Sequence, residues 1–242
     1  MTDSLEPLTK VKVTAVPVPD YLIRYYHWAY VAPSAIRFWD HHFLVQLILF
    51  GQYKRLKDRT RMLLRQGPTG HLLQIACVYG SLSHDLLDDL QDNESLTVLD
   101  VVAEQLLQVQ RKNSHPHKHH RLRLLQADSQ NIPCPSAHYS KTLLFFLLHE
   151  QPEPVRRQTV AEALRVLQPN GLLIIVDYHR PARLHPLRPL VALVFRFLEP
   201  FAHDLWAHHL DSWLYQEFPE IQIQKTTHFA GLYQILQIRK SS

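Results

Sequence analysis

The chain has 242 residues, 46% hydrophobic and 20% charged, which is enough to bury a core and too apolar for a disordered chain. Lys and Arg total 26 against 22 Asp and Glu, a net charge of +4, and the pI is about 9.1; so mild a surplus attracts anionic surfaces weakly and gives no argument for nucleic acid. Two cysteines, Cys77 and Cys134, with no CxxC spacing, exclude a disulfide scaffold and point to a reducing compartment. The seventeen histidines make the charge depend steeply on pH between roughly 5 and 8. The six glycines mean that any nucleotide loop must be glycine-poor.

Residues 1–20 are polar, Pro-containing and without a period, so they are expected to form a flexible arm with no secretory signal. Residues 21–66 read as a helical cap. YLIRYYHWAY is followed by Pro33, which suits the first turn of a new helix, and Phe43–Phe50 is apolar nearly all round. Trp28, Tyr30 and Trp39 are either helix packing or a substrate platform. QGPTG at 66–70 is a turn.

From residue 67 the pattern changes. Apolar runs HLLQIAC (71–77), SLTVLD (95–100), HRLRLLQ (120–126), KTLLFFLL (141–148) and GLLIIVD (171–177) alternate with helical stretches near 81–91, 102–112 and 153–167. This alternation predicts a Rossmann-like α/β domain over 67–242, with a doubly wound, mostly parallel sheet. Gln168-Pro169-Asn170-Gly171 predicts a stop and turn before the fifth strand. Residues 183–218 form a helical insertion, and 221–228 with 231–240 predict a closing antiparallel hairpin with Gly231 in its turn. HPHKHH at 115–120 reads as a solvated loop. No stretch reaches 18 apolar residues, so no transmembrane helix is expected.

Ligands of such sheets bind at the carboxyl ends of the strands. Those ends carry Ala76-Cys77-Val78-Tyr79-Gly80, then Asp100, then Ala127-Asp128-Ser129, then His149-Glu150, and last Asp177-Tyr178-His179. Asp100 lies 20 residues after Gly80, a spacing that suits ribose hydroxyls, with a helix N-cap as the alternative. Asp128 could meet an adenine amino group or cap its own loop. Cys77 reads as a small buried apolar residue. His149 and Glu150 could also cap the helix that starts near Pro152.

In LLQIACVYG, Asp100, QADSQNIPCP, LFFLLHE and EALRVLQPNGLLIIVDYHRP, taken in order, the sequence resembles the S-adenosylmethionine-dependent class I methyltransferase family. The resemblance implies a cofactor site of Gln74, Ala76, Val78, Tyr79, Gly80, Asp100, Val101, Asp128 and Ser129. It departs from the family pattern at Gln74, where an acid is expected, and at Ala76, Val78 and Tyr79, where side chains crowd the approach that glycine allows. With YYHWAY, FFLLHEQPEPVRR, VDYHRPARLHPLRPL, LEPF and FAGLYQ, the chain is similar to a quinone-aminating branch, the rhodoquinone biosynthesis enzymes. That similarity implies S-adenosylmethionine as amino donor, manganese (Mn2+) as assisting metal, and ubiquinone as the substrate that loses a ring methoxy group. On it, Tyr79, His149 and Tyr178 are the catalytic candidates, and Glu150, Asp177 and His179 the metal ligands. The two other functions in view are methyl transfer to a quinone or lipid-like substrate, and a non-catalytic partner in a quinone-synthesis complex.

The insertion places Leu187, Leu190, Val191, Val194, Phe195 and Leu198 at helical spacing beside Arg183, Arg188 and Arg196. The pattern is interfacial as well as packing, so a peripheral membrane contact is expected, with a cap over the pocket as the alternative. The expected location is the cytoplasm at the inner face of the membrane, or the matrix side of a mitochondrion.

Overall fold

In the computed structural model, the described residues are 16–27, 46, 49–77, 79–112, 116–197, 199–207 and 209–241. Trp28, Tyr30, Trp39, Val78, Leu198 and most of the cap and arm lie outside them.

Among the described residues α1 (Asp20–Tyr26) comes first, and α2 (Tyr53–Arg65) precedes the sheet. Five strands and the helices between them follow: β1 (His71–Ile75), α3 (Leu82–Asp89), β2 (Ser95–Asp100), α4 (Ala103–Lys112), β3 (Leu122–Gln126), β4 (Tyr139–Phe145), α5 (Glu153–Arg165) and β5 (Leu167–Tyr178). The insertion holds three helices, α6 (Arg188–Phe197), α7 (Ala202–Ala207) and α8 (Leu210–Glu217), before the hairpin β6 (Ile221–His228) and β7 (Tyr233–Lys240). All seven strands form one sheet, in the order β3-β2-β1-β4-β5-β7-β6. The first five are parallel, and β7 runs antiparallel between β5 and β6. The expected architecture is therefore the observed one: a Rossmann-like, mostly parallel sheet with an antiparallel C-terminal hairpin.

Helices cover both faces, so alternate strand residues enter separate cores. Leu72, Val98, Leu143 and Ile174 pack with Leu56 and Leu64 of α2 and Leu86 of α3. Leu73, Leu99, Leu144 and Ile175 pack with Val160 and Leu164 of α5 and Leu214 of α8. The boundary drawn at residue 67 thus separates α2 from a sheet that it packs against directly.

Strand ends differ from the sequence reading where local chemistry overrides hydrophobicity. Pro116–Arg121 turns as a short 3-10 segment, so β3 starts at Leu122. β4 ends at Phe145 because Phe146 takes a left-handed φ of 55°. The Gln168–Gly171 turn does not precede β5 but bulges within it: Tyr139 pairs with Leu167 and Lys141 with Leu172, skipping the intervening residues. Asn170 has φ 61°, and a Cβ on Gly171 would lie 2.7 Å from the Leu167 side chain.

Candidate active site

β1, β2, β3, β4 and β5 all end at one cleft of about 1120 Å3, counted to its open mouth. It is lined by Ala76, Tyr79, Asp100, Val101, Asp128, Ser129, His149, Glu150 and Tyr178 among the expected residues.

One half of the cleft is built by the turn after β1. Ala76 sits at φ 68°, a conformation that costs an L-residue roughly 1–2 kcal/mol. Three hydrogen bonds hold it there. Ala76 N–H donates to Leu99 O at 2.8 Å, Gln74 Nε2 donates to Ala76 O at 3.1 Å, and Cys77 N–H donates to Asp100 Oδ2 at 2.7 Å. Asp100 also accepts from Val102 N–H at 2.8 Å. Burial pushes its carboxyl up to about 6, against the pull of those backbone bonds. Asp100 is not the N-cap of α4, which begins at Ala103: its bond to Val102 N–H closes a turn two residues on, and a carboxylate oxygen that accepts one N–H can still accept a hydroxyl.

Asp128 behaves similarly. Its Oδ1 accepts from Gln130 N–H at 2.9 Å, closing its own loop, while the residue lines the cleft. Ser129 Oγ lies 2.8 Å from Thr159 Oγ1 and accepts from Gln151 Nε2 at 3.1 Å. An acid at the end of β2, the apolar Val101 and Val102, and an acid after β3 offer two acceptors and an apolar wall that fit an adenosyl group, whose ribose hydroxyls and adenine amino group donate.

Two cofactor assignments fall elsewhere. Gln74 is fully buried and props the Ala76 carbonyl rather than lining the cleft. Gly80 faces Tyr53: with φ 95°, a Cβ there would meet the Tyr53 hydroxyl at 2.6 Å, so the glycine admits that ring beneath the turn. Val78 lies outside the described residues.

The other half is aromatic and charged. Asp177, fully buried at the end of β5, accepts from Leu148 N–H at 2.8 Å and from Tyr178 N–H at 2.7 Å, and its Oδ1 lies 2.9 Å from His149 Nδ1. Burial disfavours a charged imidazole, but the Asp177 carboxylate, aided by Glu199 and Glu150, outweighs it and holds His149 up to about 9. His149 is therefore an imidazolium at neutral pH. The Tyr178 ring packs edge-on against His149 at 4.9 Å and Phe146 at 5.5 Å, and burial raises its phenol well above the usual range.

The three expected metal ligands do not form a site. The Asp177 carboxylate is taken up by the turn and by His149. His179 lies outside the cleft, with its Nδ1 2.8 Å from Gly231 O, and only Glu150 lines it. Among the described residues no three His, Cys, Asp or Glu side chains converge, so the manganese assignment does not fit this geometry.

Among the lining residues that escaped sequence reasoning are Tyr21, Gln105, Phe146, Gln151 and Glu199. Glu199 accepts from the Tyr26 hydroxyl at 2.8 Å, and burial raises its carboxyl pKa. A lone acid in the apolar FRFLEPF was its signal. Tyr21 stands two residues from Pro19, which also borders the cleft, so α1 closes one side of it.

Residues 72–171 match the methyltransferase-domain family. A demethylmenaquinone methyltransferase of Bacillus licheniformis is 24% identical over 178 residues, 72% of this chain and 74% of that protein. A ubiquinone/menaquinone biosynthesis C-methyltransferase of Azotobacter vinelandii is 28% identical over 64% of this chain and 56% of its own. The fold is shared with a putative S-adenosylmethionine-dependent methyltransferase of Methanococcus maripaludis, with TM-score 0.59, 16% identity, and 87% and 94% of the two chains covered. It is shared too with the mitomycin 7-O-methyltransferase, with TM-score 0.62, 17% identity, and 89% and 60% covered. By strand order and cleft position the chain has the Rossmann-like methyltransferase fold, and residues 72–171 within it are similar to the methyltransferase-domain family.

Proposed function

We propose that the protein converts ubiquinone to rhodoquinone, using S-adenosylmethionine as the source of the amino group that replaces a ring methoxy. The observation that carries this reading is the turn after β1. Ala76 and Tyr79 place side chains in the cleft where a glycine-rich turn would leave room, and Gln74 supplies a buried amide where the family pattern has an acid. A cleft altered at the amino-acid end and intact at the adenosyl end suits a cofactor that reacts through a different group. The quinone relatives support the substrate class.

Bound S-adenosylmethionine would supply an amine as nucleophile. Addition of that amine to a quinone carbon with loss of methanol would move one proton from nitrogen to the departing oxygen and build charge on the quinone oxygen; freeing the ring amine would then break the nitrogen–carbon bond to the donor, the two electrons of that carbon reducing the ring to the hydroquinone and the oxygen of one water leaving with the donor as a 2-oxo acid. The His149 imidazolium would stabilise that oxygen or donate the proton. Tyr178 and Phe146 would offer ring edges to a flat substrate, and Tyr79 lines the same cleft. Asp100 and Asp128 would hold the ribose and adenine.

A second reading is methyl transfer to a quinone ring, which the named activities of the relatives favour. Mass spectrometry of a reaction with short-tailed ubiquinone and S-adenosylmethionine separates the two. Amination yields a lighter product that has lost methoxy and gained amino. A product heavier by one methylene would establish methyl transfer instead.

A further inference from the structure

We propose that the outer face of α6 and its flanking arginines dock the protein on an anionic lipid bilayer. α6 is apolar on two sides. Its inner side buries Val191 and Phe195, and the Phe195 ring meets Tyr178 at 4.9 Å and Trp206 at 4.7 Å. The outer side carries Leu190, Leu193 and Phe197, spaced three and four residues apart on one stripe, and they are 46%, 55% and 70% exposed. Leu184, just before the helix, is 96% exposed. A folded protein gains nothing from exposing such a stripe to water, and contiguous apolar exposure marks a surface that something else covers.

Charge identifies the occupant. Arg196 lies beside the stripe and Arg183 next to Leu184, both exposed, and among the described residues no ion pair engages either. The Arg196 guanidinium lies 5.9 Å from the Phe197 ring centre. An apolar stripe inside a cationic border is the pattern of an interfacial helix on anionic headgroups. No helix among the described residues is long and apolar enough to cross a membrane, which leaves lying on the surface as the mode.

The position of α6 gives the docking a consequence. Phe195 backs onto Tyr178 of the cleft wall, and Glu199, just past α6, faces the cleft and holds Tyr26 of α1. The lipid-facing helix is thus the far side of the cleft wall. The docking stands apart from the quinone reading. Only its use, drawing a membrane-borne substrate into the cleft, rests on that reading. The lipid-facing residues are Leu190, Leu193 and Phe197, and Phe195, which the helical pattern also offered, is a wall residue at 1% exposure.

The test is co-sedimentation of the purified chain with vesicles of phosphatidylcholine plus phosphatidylglycerol, against phosphatidylcholine alone. The intact protein is expected to bind the anionic vesicles more tightly, and to release them as salt rises. Leu193→Ser with Phe197→Ser should weaken that binding by about tenfold or more. Each of Arg183→Gln and Arg196→Gln should weaken it by about fivefold. The melting temperature should not change, since all four side chains are exposed. Equal binding by the Leu193 and Phe197 variant would overturn the proposal. So would an intact protein that ignores vesicles but whose solution mass falls when those two residues are changed, because the stripe would then be a contact between copies of the chain. Vesicle binding is read without quinone or cofactor, so its failure leaves the product assay untouched, and failure of that assay leaves the docking standing.

Discussion

His149 Nδ1 lies 2.9 Å from Asp177 Oδ1, joining a side chain of the turn after β4 to the buried end of β5. Asp177 also accepts from the backbone of that turn, so one carboxylate both places the imidazole and keeps it charged.

The pair sets a pH dependence. The imidazole is raised from its ordinary 6.5 to about 9, so the stability it contributes is fully present below about 6.5 and is lost as pH rises through about 9. Activity that needs the imidazolium should fall over the same alkaline range. Asp177→Asn removes the charge that opposes burial, so the alkaline limb should move to lower pH. A pH–rate profile with an NMR titration of His149 checks both. His149→Gln should lower turnover by about a hundredfold or more while cofactor affinity holds.

Asp100 is raised from 3.8 to about 6, so its ionised form costs stability above that value and the cost is absent below 3.8. Ribose hydroxyls donating to it favour the ionised form. Cofactor affinity should therefore weaken as pH falls through about 6. Asp100→Asn faces its amide N–H2 toward one of the two N–H donors, Cys77 or Val102, and calorimetry should show at least a tenfold loss of S-adenosylmethionine affinity.

Gln74→Glu restores the acid of the family pattern at a fully buried site whose partner is a carbonyl. A carboxylate there loses the hydrogen bond to Ala76 O and gains no donor in its place. The variant should lose about 2 kcal/mol in urea unfolding, and it should not become a methyltransferase.

Glu199 and Tyr26 tie the turn after α6 to α1 across the cleft. Tyr26→Phe removes one buried hydrogen bond, and should cost about 1 kcal/mol of stability and raise the KM for the quinone more than that for the cofactor. Parallel rises in both KM values would place this link away from the substrate.

Much of this was legible in the chain. Leu72–Ile75, Leu96–Leu99 and Leu172–Val176 are short runs buried at every position and apolar at all but Gln74 and Thr97, as strands covered on both faces require. Asp100 and Asp128 were legible because a polar residue that ends such a run must face a strand-end crevice. Gln74 and Asp177 look like site residues for the same reason, but their side chains turn inward to fasten turns, and sequence does not report that direction. Tyr21 comes from α1 and Glu199 from the turn after α6, segments distant in the chain, so only the packed fold brings them to the cleft.

The most direct measurement is isotope transfer. S-adenosylmethionine carrying heavy nitrogen in its amino group would be incubated with the protein and short-tailed ubiquinone, and the quinone product analysed by mass. Heavy nitrogen on the ring in place of a methoxy group is the predicted result. A ring that retains both methoxy groups and gains the cofactor's methyl carbon would contradict it.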